Sequence, residues 1–203
     1  MKIIFDVQGA QSEGSRYRGI GRYSISLIKS IISNFPDNEY ILFANASLYD
    51  IRSSFTNELA SSILKVNYFQ WYAPARPAIL TAGENTYDLL AIQLRSYALS
   101  ILNGDVLLIT SLFEGFADNC IVEWDSSYSL PPIFVILYDL IPLINPSQYL
   151  TTNPTYENFY RKKLNTLTSA DCLLAISESA ANEGKNYLNF DKNLIFNISS
   201  ACN

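Results

Sequence analysis

The stretch Ile3-Ile-Phe-Asp-Val7 reads as a buried β-strand, because all its residues except Asp6 are large and apolar. A segment of helical period follows it after a polar loop, and Pro36 ends that segment. The apolar residues on one face of this predicted helix are Ile20, Tyr23, Leu27, Ile28, Ile31 and Phe35. A buried strand followed by an amphipathic helix is the unit from which α/β domains are built.

The same unit repeats along the rest of the chain. Further apolar runs of strand length are Tyr40 to Ala44, Leu64 to Phe69, Val106 to Ile109, Ile133 to Tyr138, Cys172 to Ile176 and Leu194 to Phe196. These runs are continuous rather than alternating, which is typical of a parallel sheet covered by helices on both faces. We therefore predict one α/β domain over residues 1–203, Rossmann-like, with three α/β/α layers and a mostly parallel sheet.

Three more helices are predicted between these strands. The first starts at a capping-box pattern, Thr81-Ala-Gly-Glu84, and stops at Asn103-Gly104. Its predicted buried stripe is Tyr87, Leu90, Leu94, Tyr97, Ala98, Ile101 and Leu102. The second starts near Pro154 and carries Tyr156, Phe159, Tyr160, Leu164 and Leu167. The third runs from about Ser177 to Tyr187.

Composition excludes several classes of chemistry. The 203 residues contain no histidine, which removes Ser-His-Asp triads and His-ligated zinc. The formal net charge of −5 argues against general nucleic-acid binding, which needs a basic face. Cys120, Cys172 and Cys202 form no CxxC motif, so we expect reduced structural thiols and no metal site. No signal peptide and no apolar stretch of the ~18 residues that span a membrane are present, so we expect a cytoplasmic protein.

The candidate site residues come from the loops that follow strands. In an open parallel sheet, ligands bind outside the carboxyl ends of the strands, so these loops should converge on one cleft. The polar residues after strands one, four, five and six are Gln8-Gly9 with the loop Gly14 to Arg22, Ser111 with Glu114, Tyr138-Asp139, and Ser177-Glu178-Ser179.

The loop after strand one offers two kinds of ligand. Gly19-Ile-Gly21 resembles half of a dinucleotide-binding fingerprint. Ser24 stands where a third glycine would be, and Asn45 ends strand two in place of the acid that holds an NAD ribose, so NAD binding is disfavoured.

Arginines of the same loop suit a phosphate or an anionic sugar. Arg16, Arg18 and Arg22 lie beside the start of the predicted helix, where guanidinium groups and backbone N–H groups can bind an anion together. A solvated loop with one or two surface ion pairs explains the same residues equally well, and the sequence leaves both readings open.

The other candidates also have two readings each. Tyr138 can stack on a sugar ring or use its hydroxyl, and Asp139 is either a site residue or a cap of the following loop. Ser177 reads first as a helix N-cap. From the residues alone, the chain is an α/β domain with a polar cleft.

Four segments together resemble the N-terminal domain of bacterial family 4 glycosyltransferases. They are Phe5 to Gln11 with Arg18 to Ser24, Ser111 to Phe116, Leu137 to Leu143, and Ser169 to Ser179. The similarity is greatest to mannosyltransferase-like members that build O-antigen and other cell-surface polysaccharides. The resemblance implies the N-terminal half of a GT-B fold, in which two Rossmann-like domains face each other across a cleft.

The resemblance also implies roles for individual residues. Such enzymes are metal-independent and retaining, and they use a nucleotide-sugar such as GDP-mannose as co-substrate with no cofactor. Tyr138 takes the position where many relatives have a histidine that contacts the transferred sugar, so Tyr138 and Asp139 are the implied catalytic residues. The implied substrate-binding residues are Arg18, Gly19, Gly21, Arg22, Glu114, Ser177 and Glu178.

The donor-binding domain is expected to be absent from the chain. The family's donor signature has two glutamates at a fixed spacing, and Glu114 resembles the first of them. The position of the second is Val122, and Glu123 comes one residue too late. We therefore expect an acceptor-side domain that is inactive alone. An alternative is a binding or regulatory half-enzyme that pairs with a separate catalytic subunit.

The resemblance implies these partners as well. They are a glycan or lipid-linked acceptor, a nucleotide-sugar bound mainly by the missing domain, and that C-terminal domain itself. Peripheral contact with the inner face of the membrane is left open, although the acidic chain shows no basic amphipathic helix.

Overall fold

The computed structural model describes residues 1–56, 66–72, 78–79 and 86–199. They form a seven-stranded sheet in the order β3-β2-β1-β4-β5-β6-β7, and every pair of neighbouring strands is parallel. The strands are β1 Lys2–Asp6, β2 Glu39–Asn45, β3 Val66–Trp71, β4 Val106–Ile109, β5 Ile133–Leu137, β6 Cys172–Ala175 and β7 Ile195–Asn197. All seven predicted strands are therefore confirmed, although the predicted start of the third, Leu64, lies outside the described residues.

Eight helices occupy the described ranges. They are α1 Gln8–Gln11, α2 Gly19–Asn34, α3 Ser53–Thr56, α4 Thr86–Ser100, α5 Ile141–Ile144, α6 Pro146–Tyr149, α7 Pro154–Leu167 and α8 Glu178–Tyr187. A 3₁₀ turn at Lys192–Leu194 precedes β7. None of these helices is long and apolar enough to cross a membrane.

The sheet carries helices on both faces, which confirms the predicted Rossmann-like three-layer class. On one face, Phe5 and Leu42 of the sheet pack with Ile28 and Ile32 of α2. On the other face, α4, α7 and α8 cover the sheet, and the buried residues there include Ile4, Leu107, Val135, Leu173, Leu99, Leu167 and Ala181. Burial on both faces explains why the strands are continuous apolar runs.

The predicted buried stripe of α4 is wrong in most positions. Tyr87, Leu94 and Tyr97 are exposed, with 58%, 37% and 55% of their surface accessible. The buried face instead carries Ala91, Arg95, Ser96, Ala98 and Leu99. Because this face contains an arginine and a serine, a search for apolar spacing selects the solvent side of the helix. The predicted capping box, Thr81 to Glu84, lies outside the described residues.

Arg95 is fully buried because it pairs with Asp6 at the end of β1. Its Nη2 atom lies 2.5 Å from Asp6 Oδ2, and the two side chains are 0% and 1% exposed. Its Nη1 atom donates to the carbonyl of Glu123 at 2.9 Å. One side chain therefore joins α4, the strand β1 and the long connection between β4 and β5.

Gln8 extends this contact into a buried polar network. Its Nε2 atom donates to the carbonyl of Ile121 at 2.6 Å and to Asp6 Oδ2 at 3.2 Å. Its Oε1 atom accepts from the N–H of Ile121 at 3.0 Å and from Asn45 Nδ2 at 3.2 Å. The Gln8 side chain thus connects the loop after β4 to Asp6 of β1 and to Asn45 of β2.

We expect Arg95→Met to lower the free energy of unfolding by about 3–5 kcal/mol, because it leaves the Asp6 carboxylate buried without its cation. Adding Asp6→Asn to this variant should recover part of the loss. Urea unfolding of the single and double variants measures both effects.

Arg52→Met is the matched control, because it removes an arginine from the exposed pair Arg52–Asp50. Exposed pairs contribute little, so its unfolding midpoint should stay close to that of the unchanged protein. Equal midpoints for the Arg95 and Arg52 variants would contradict the structural role given to Arg95.

Candidate functional site

The loops after β1 and β4 are joined through one buried carboxylate, that of Glu114. Its Oε1 atom accepts hydrogen bonds from Ser15 Oγ at 2.7 Å and from Ser111 Oγ at 2.8 Å. Ser12, in the same loop as Ser15, donates to the carboxylate of Asp118. The loop that precedes α2 is therefore held against the loop after β4, at the carboxyl edge of the sheet.

Glu114 is a buried group with a perturbed pKa. Burial raises the pKa of Glu114, and the neighbouring Asp118 carboxylate raises it further, whereas the serine hydroxyls lower it. Only 7% of the residue is accessible, so its contacts here are with the protein. Its predicted contact with substrate stays a prediction.

The two glycines of the loop differ in what the fold requires of them. A Cβ atom on Gly21 would lie 2.5 Å from Arg16 Cα and 2.6 Å from the carbonyl oxygen of Ser15, so only glycine fits there. A Cβ atom on Gly19 would meet nothing within 4 Å. Gly21 therefore lets α2 pack on its own preceding loop, while Gly19 opens the helix at an exposed position.

The three arginines of this loop point to different places. Arg16 lies over the rings of Tyr17 and Tyr49, with its Cζ atom 4.7 and 4.5 Å from the two centroids. Arg18 is exposed at the N-cap of α2. Arg22 is exposed and lines a separate groove along α2. Arg16 and Arg22 thus line different grooves.

Tyr138 is held in the site as a neutral hydroxyl. Its Oη atom donates to the carbonyl of Thr110 at 3.0 Å, and its ring packs edge-on against Tyr23, with 5.8 Å between the centroids. Burial raises the pKa of Tyr138 well above its usual range. Tyr138 can therefore offer a ring edge and a fixed hydroxyl, but it does not exchange a proton near neutral pH.

Asp139 is exposed beside Tyr138 and has a capping role. Its Oδ1 atom accepts from the N–H of Ile141 at 3.1 Å, at the start of α5. The capping reading is therefore confirmed. Asp139 also lines a cavity at this edge, and its role as a site residue stays a prediction.

A cavity of about 130 Å³ lies where β4 and β5 end. Tyr138 and Asp139 line it together with residues that sequence reasoning did not assign to a site. The complete lining is Ile20, Ser111, Leu112, Phe113, Tyr138, Asp139, Pro142, Tyr156 and Tyr160. Tyr156 and Tyr160 were predicted only as part of a helix face. Their position four residues apart at the start of α7 was the available signal, because α7 starts at the same edge of the sheet.

The fourth predicted place, after β6, does not reach this cavity. Ser177 Oγ accepts from the N–H of Ala180 at 3.1 Å, which confirms its reading as the N-cap of α8. Glu178 is exposed and its Oε2 atom accepts from Asn197 Nδ2 at 3.0 Å. Neither residue lines the cavity, whose lining comes from α2 and from the segments that follow β4 and β5. Convergence of all four loops on one cleft stays a prediction.

One group of side chains has the composition of a metal site. The ligand atoms of Glu114, Asp118 and Cys120 lie within 4.8 Å of one another. Serine hydroxyls and the N–H of Cys120 already donate to the two carboxylates. Burial, followed by the Asp118 and Glu114 charges, raises the pKa of the Cys120 thiol well above its usual range, which disfavours the thiolate that a metal would need.

The chain has relatives among known proteins, although no protein-family model matches it. It is 31% identical over 206 residues to the serotype-specific mannosyltransferase WbdA of Escherichia coli, across 99% of the chain and 24% of that protein. A second Escherichia coli WbdA is 27% identical over 178 residues, across 85% of the chain and 21% of that protein. The chain thus spans about a quarter of the length of these relatives.

Among solved structures, the chain is similar to Arabidopsis thaliana UGT89C1 complexed with UDP. The TM-score is 0.49 and the identity 12%, across 100% of the chain and 49% of that structure. The fold assignment therefore rests on the strand order and the two helix layers of the chain itself.

We expect Glu114→Gln to raise stability at pH 7, because it keeps an acceptor oxygen for Ser15 and Ser111 and removes a buried charge beside Asp118. The folded protein holds the Glu114 proton to a higher pH than the unfolded chain does. Stability from this group is therefore present below the ordinary pKa of a glutamate and is lost as the pH rises through the raised value.

The gain of the Gln variant should consequently shrink as the pH falls toward 4. Urea midpoints between pH 4 and pH 7 test this, with Glu13→Gln, an exposed glutamate of the loop that precedes α2, as the control. A Gln variant that is less stable than the unchanged protein at pH 7 would show that the fold needs the carboxylate charge.

Proposed function

We propose that the chain, a homologue of the WbdA mannosyltransferases across 99% of its length, is the acceptor-side domain of a glycosyltransferase. The enzyme would transfer a sugar, for which mannose is the first candidate, from a nucleotide-sugar to a glycan or lipid-linked acceptor of a surface polysaccharide. The sequence relationship to WbdA is the observation that carries this proposal.

The geometry of the carboxyl edge fits the binding of a sugar substrate. A small cavity with aromatic walls lies between Tyr138 and α7, and the Asp139 carboxylate stands at its rim. Sugar binding sites combine apolar surface with a few placed polar groups, because each ring offers C–H groups and hydroxyls together. The role proposed for this domain is to place the acceptor, and positioning of reactants alone contributes several kcal/mol to catalysis.

Two parts of the chain can assist the transfer itself. Tyr138 is a fixed neutral hydroxyl whose own proton is given to the carbonyl of Thr110, so it can accept a hydrogen bond from a substrate hydroxyl. The N–H of Gly21 is bonded to the carbonyl of Ser15, whereas the first N–H of α2, on Gly19, makes no hydrogen bond within the described residues. The start of α2 with Arg18 beside it therefore suits a phosphate oxygen of the leaving group.

The remaining parts of the reaction are assigned to other residues. We propose that a donor-binding domain supplies most of the contacts to the nucleotide diphosphate, and that the transfer retains the configuration at the anomeric carbon. Both statements follow from the family resemblance of the four sequence segments. Stabilisation of the developing charge at the anomeric carbon and at the leaving phosphate is what such a transfer requires of its two domains.

The test compares this chain with a version extended by the donor-binding domain of a relative. Both are mixed with a panel of nucleotide-sugars that includes GDP-mannose and with oligosaccharide or lipid-linked acceptors, and the transferred sugar is measured. We expect transfer only by the extended protein, and Arg18→Ala should reduce the rate at least about tenfold, the effect of losing one charge-assisted hydrogen bond at the start of α2.

Arg161→Ala, which removes an exposed arginine from α7, is the control and should leave the rate unchanged. Transfer by the short chain alone would contradict the proposed division of labour. Absence of transfer by the extended protein with every nucleotide-sugar would contradict the proposed function.

A further inference from the structure

The outer face of α4 carries a stripe of large apolar side chains. Each of them is between 37% and 58% exposed. The members are Tyr87, Leu90, Leu94, Tyr97 and Ile101. Ile101 follows the last residue of α4, but its N–H still donates to the carbonyl of Tyr97 at 3.3 Å, so the stripe continues onto that turn. Soluble proteins rarely leave a contiguous apolar patch open to water, and such a patch marks an interaction site.

The spacing of these five residues indicates what they contact. Successive members are separated by three, four, three and four residues. This repeat of 3.5 residues is the pattern by which one helix packs along another, with the apolar residues at the contact line. At 1.5 Å per residue the line is about 21 Å long. The five residues, called the α4 seam below, therefore fit a second helix.

Small and uncharged side chains flank the α4 seam on both sides. Ala91 and Ala98 lie along one side, and Gln93 and Ser100 along the other. In paired helices these flanking positions usually carry the charges that select a partner. Short neutral side chains there let a partner helix approach closely and place no demand on its charge.

The formal charges of α4 lie away from the seam. Arg95 is buried in its pair with Asp6, and Asp88 is half-buried. Hydrogen bonds from Ser127 and from Gln93 lower the pKa of Asp125, so a carboxylate lies at one edge of the seam. A partner helix is therefore held by apolar contact rather than by ion pairs, and a chain with the same net charge of −5 can supply it.

The α4 seam is also symmetric about its middle residue. Tyr87 and Ile101 each lie seven residues from Leu94, with Leu90 and Tyr97 between them and the centre. If two copies of α4 cross antiparallel on a two-fold axis at Leu94, Tyr87 of each copy meets Ile101 of the other, and Leu90 meets Tyr97. Self-complementarity of this kind is what a two-fold interface between identical chains requires.

We propose that α4 pairs with α4 of a second copy of this chain, antiparallel, with Leu94 on the two-fold axis. Five side chains from each helix are fewer than the ~20–30 residues per side of a standard interface, so the dimer dissociates readily. We expect a dissociation constant of about 10–100 µM. The pairing goes beyond sugar transfer and does not depend on it.

Sedimentation velocity of the chain tests the pairing, at concentrations from about 1 to 500 µM that bracket the expected dissociation constant. Leu94→Glu places two like charges on the axis, so affinity should fall at least about hundredfold. Tyr187→Glu adds the same charge at an exposed residue of α8 and should dimerise as the unchanged chain does. Melting curves at the lowest concentration should be the same for the unchanged chain and Leu94→Glu, because Leu94 is exposed in the monomer.

A mixture of the Leu94→Glu and Leu94→Lys variants tests the antiparallel register. Opposite charges then meet on the axis, so the mixture should dimerise more tightly than either variant alone. Two folded variants that do not associate in the mixture would contradict a two-fold axis at Leu94.

Salt dependence separates apolar pairing from ion pairing. Raising the salt concentration from about 50 to 500 mM should strengthen the dimer, because it screens the repulsion between two negatively charged chains. A dimer that weakens with salt would contradict a seam without ion pairs.

The inference is overturned by a chain that stays monomeric at about 500 µM, well above the expected dissociation constant. It is also overturned by association that Leu94→Glu leaves unchanged. A monomeric chain that binds phosphatidylcholine vesicles, and loses this binding in Leu94→Glu, would assign the seam to a membrane surface and overturn the dimer. Sugar transfer is measured separately, so its presence or absence leaves the pairing to be judged by sedimentation.

Discussion

The ion pair between Arg95 and Asp6 is the contact on which the carboxyl edge of the sheet depends. Asp6 is the last residue of the inner strand β1, and Arg95 reaches it from α4 through the buried layer between them. A buried carboxylate or guanidinium without its partner strongly destabilises the fold, so α4 has to lie where the two groups can pair. The second guanidinium nitrogen holds Glu123, and so fixes the loop after β4 to the same point.

Around this ion pair, hydrogen bonds from side chains hold the loops at the carboxyl edge of the sheet together. Gln8 binds the loop at Ile121, and Glu114 binds it to the serines before α2. The long connection between β4 and β5 therefore behaves as a fixed wall of the site. This is also why the cavity beside Tyr138 can have preset aromatic walls, since Phe113 lies in that connection and packs on Tyr160. A rigid wall matters for a domain whose proposed task is to place an acceptor, because its contribution is orientation.

The sequence predicts the sheet well and the site in part, for one physical reason. Strands that are buried on both faces consist mostly of apolar residues, so continuous apolar runs in the sequence mark their positions. The helix α4 does not follow this rule, because its buried face includes Arg95. A prediction from apolar spacing places a charged residue such as Arg95 on the solvent-exposed face. The sequence also shows Gly19 and Gly21 as equivalent, although the fold distinguishes them. A Cβ atom on Gly21 would lie 2.5 Å from Arg16 Cα, so glycine is required there, whereas Gly19 has open space around it. Tyr156 and Tyr160 were visible as a helix face, but their role depends on α7 starting beside the end of β5.

The carboxyl edge of this domain is proposed to bind a sugar. Mapping of backbone amide chemical shifts in ¹⁵N-labelled protein, titrated with α-linked mannobiose, tests it most directly. We expect shifts confined to the loops after β4 and β5 and to the first turns of α7, with Ser177 and Glu178 unaffected. Shifts that are absent, or that centre on the opposite edge of the sheet, would contradict it.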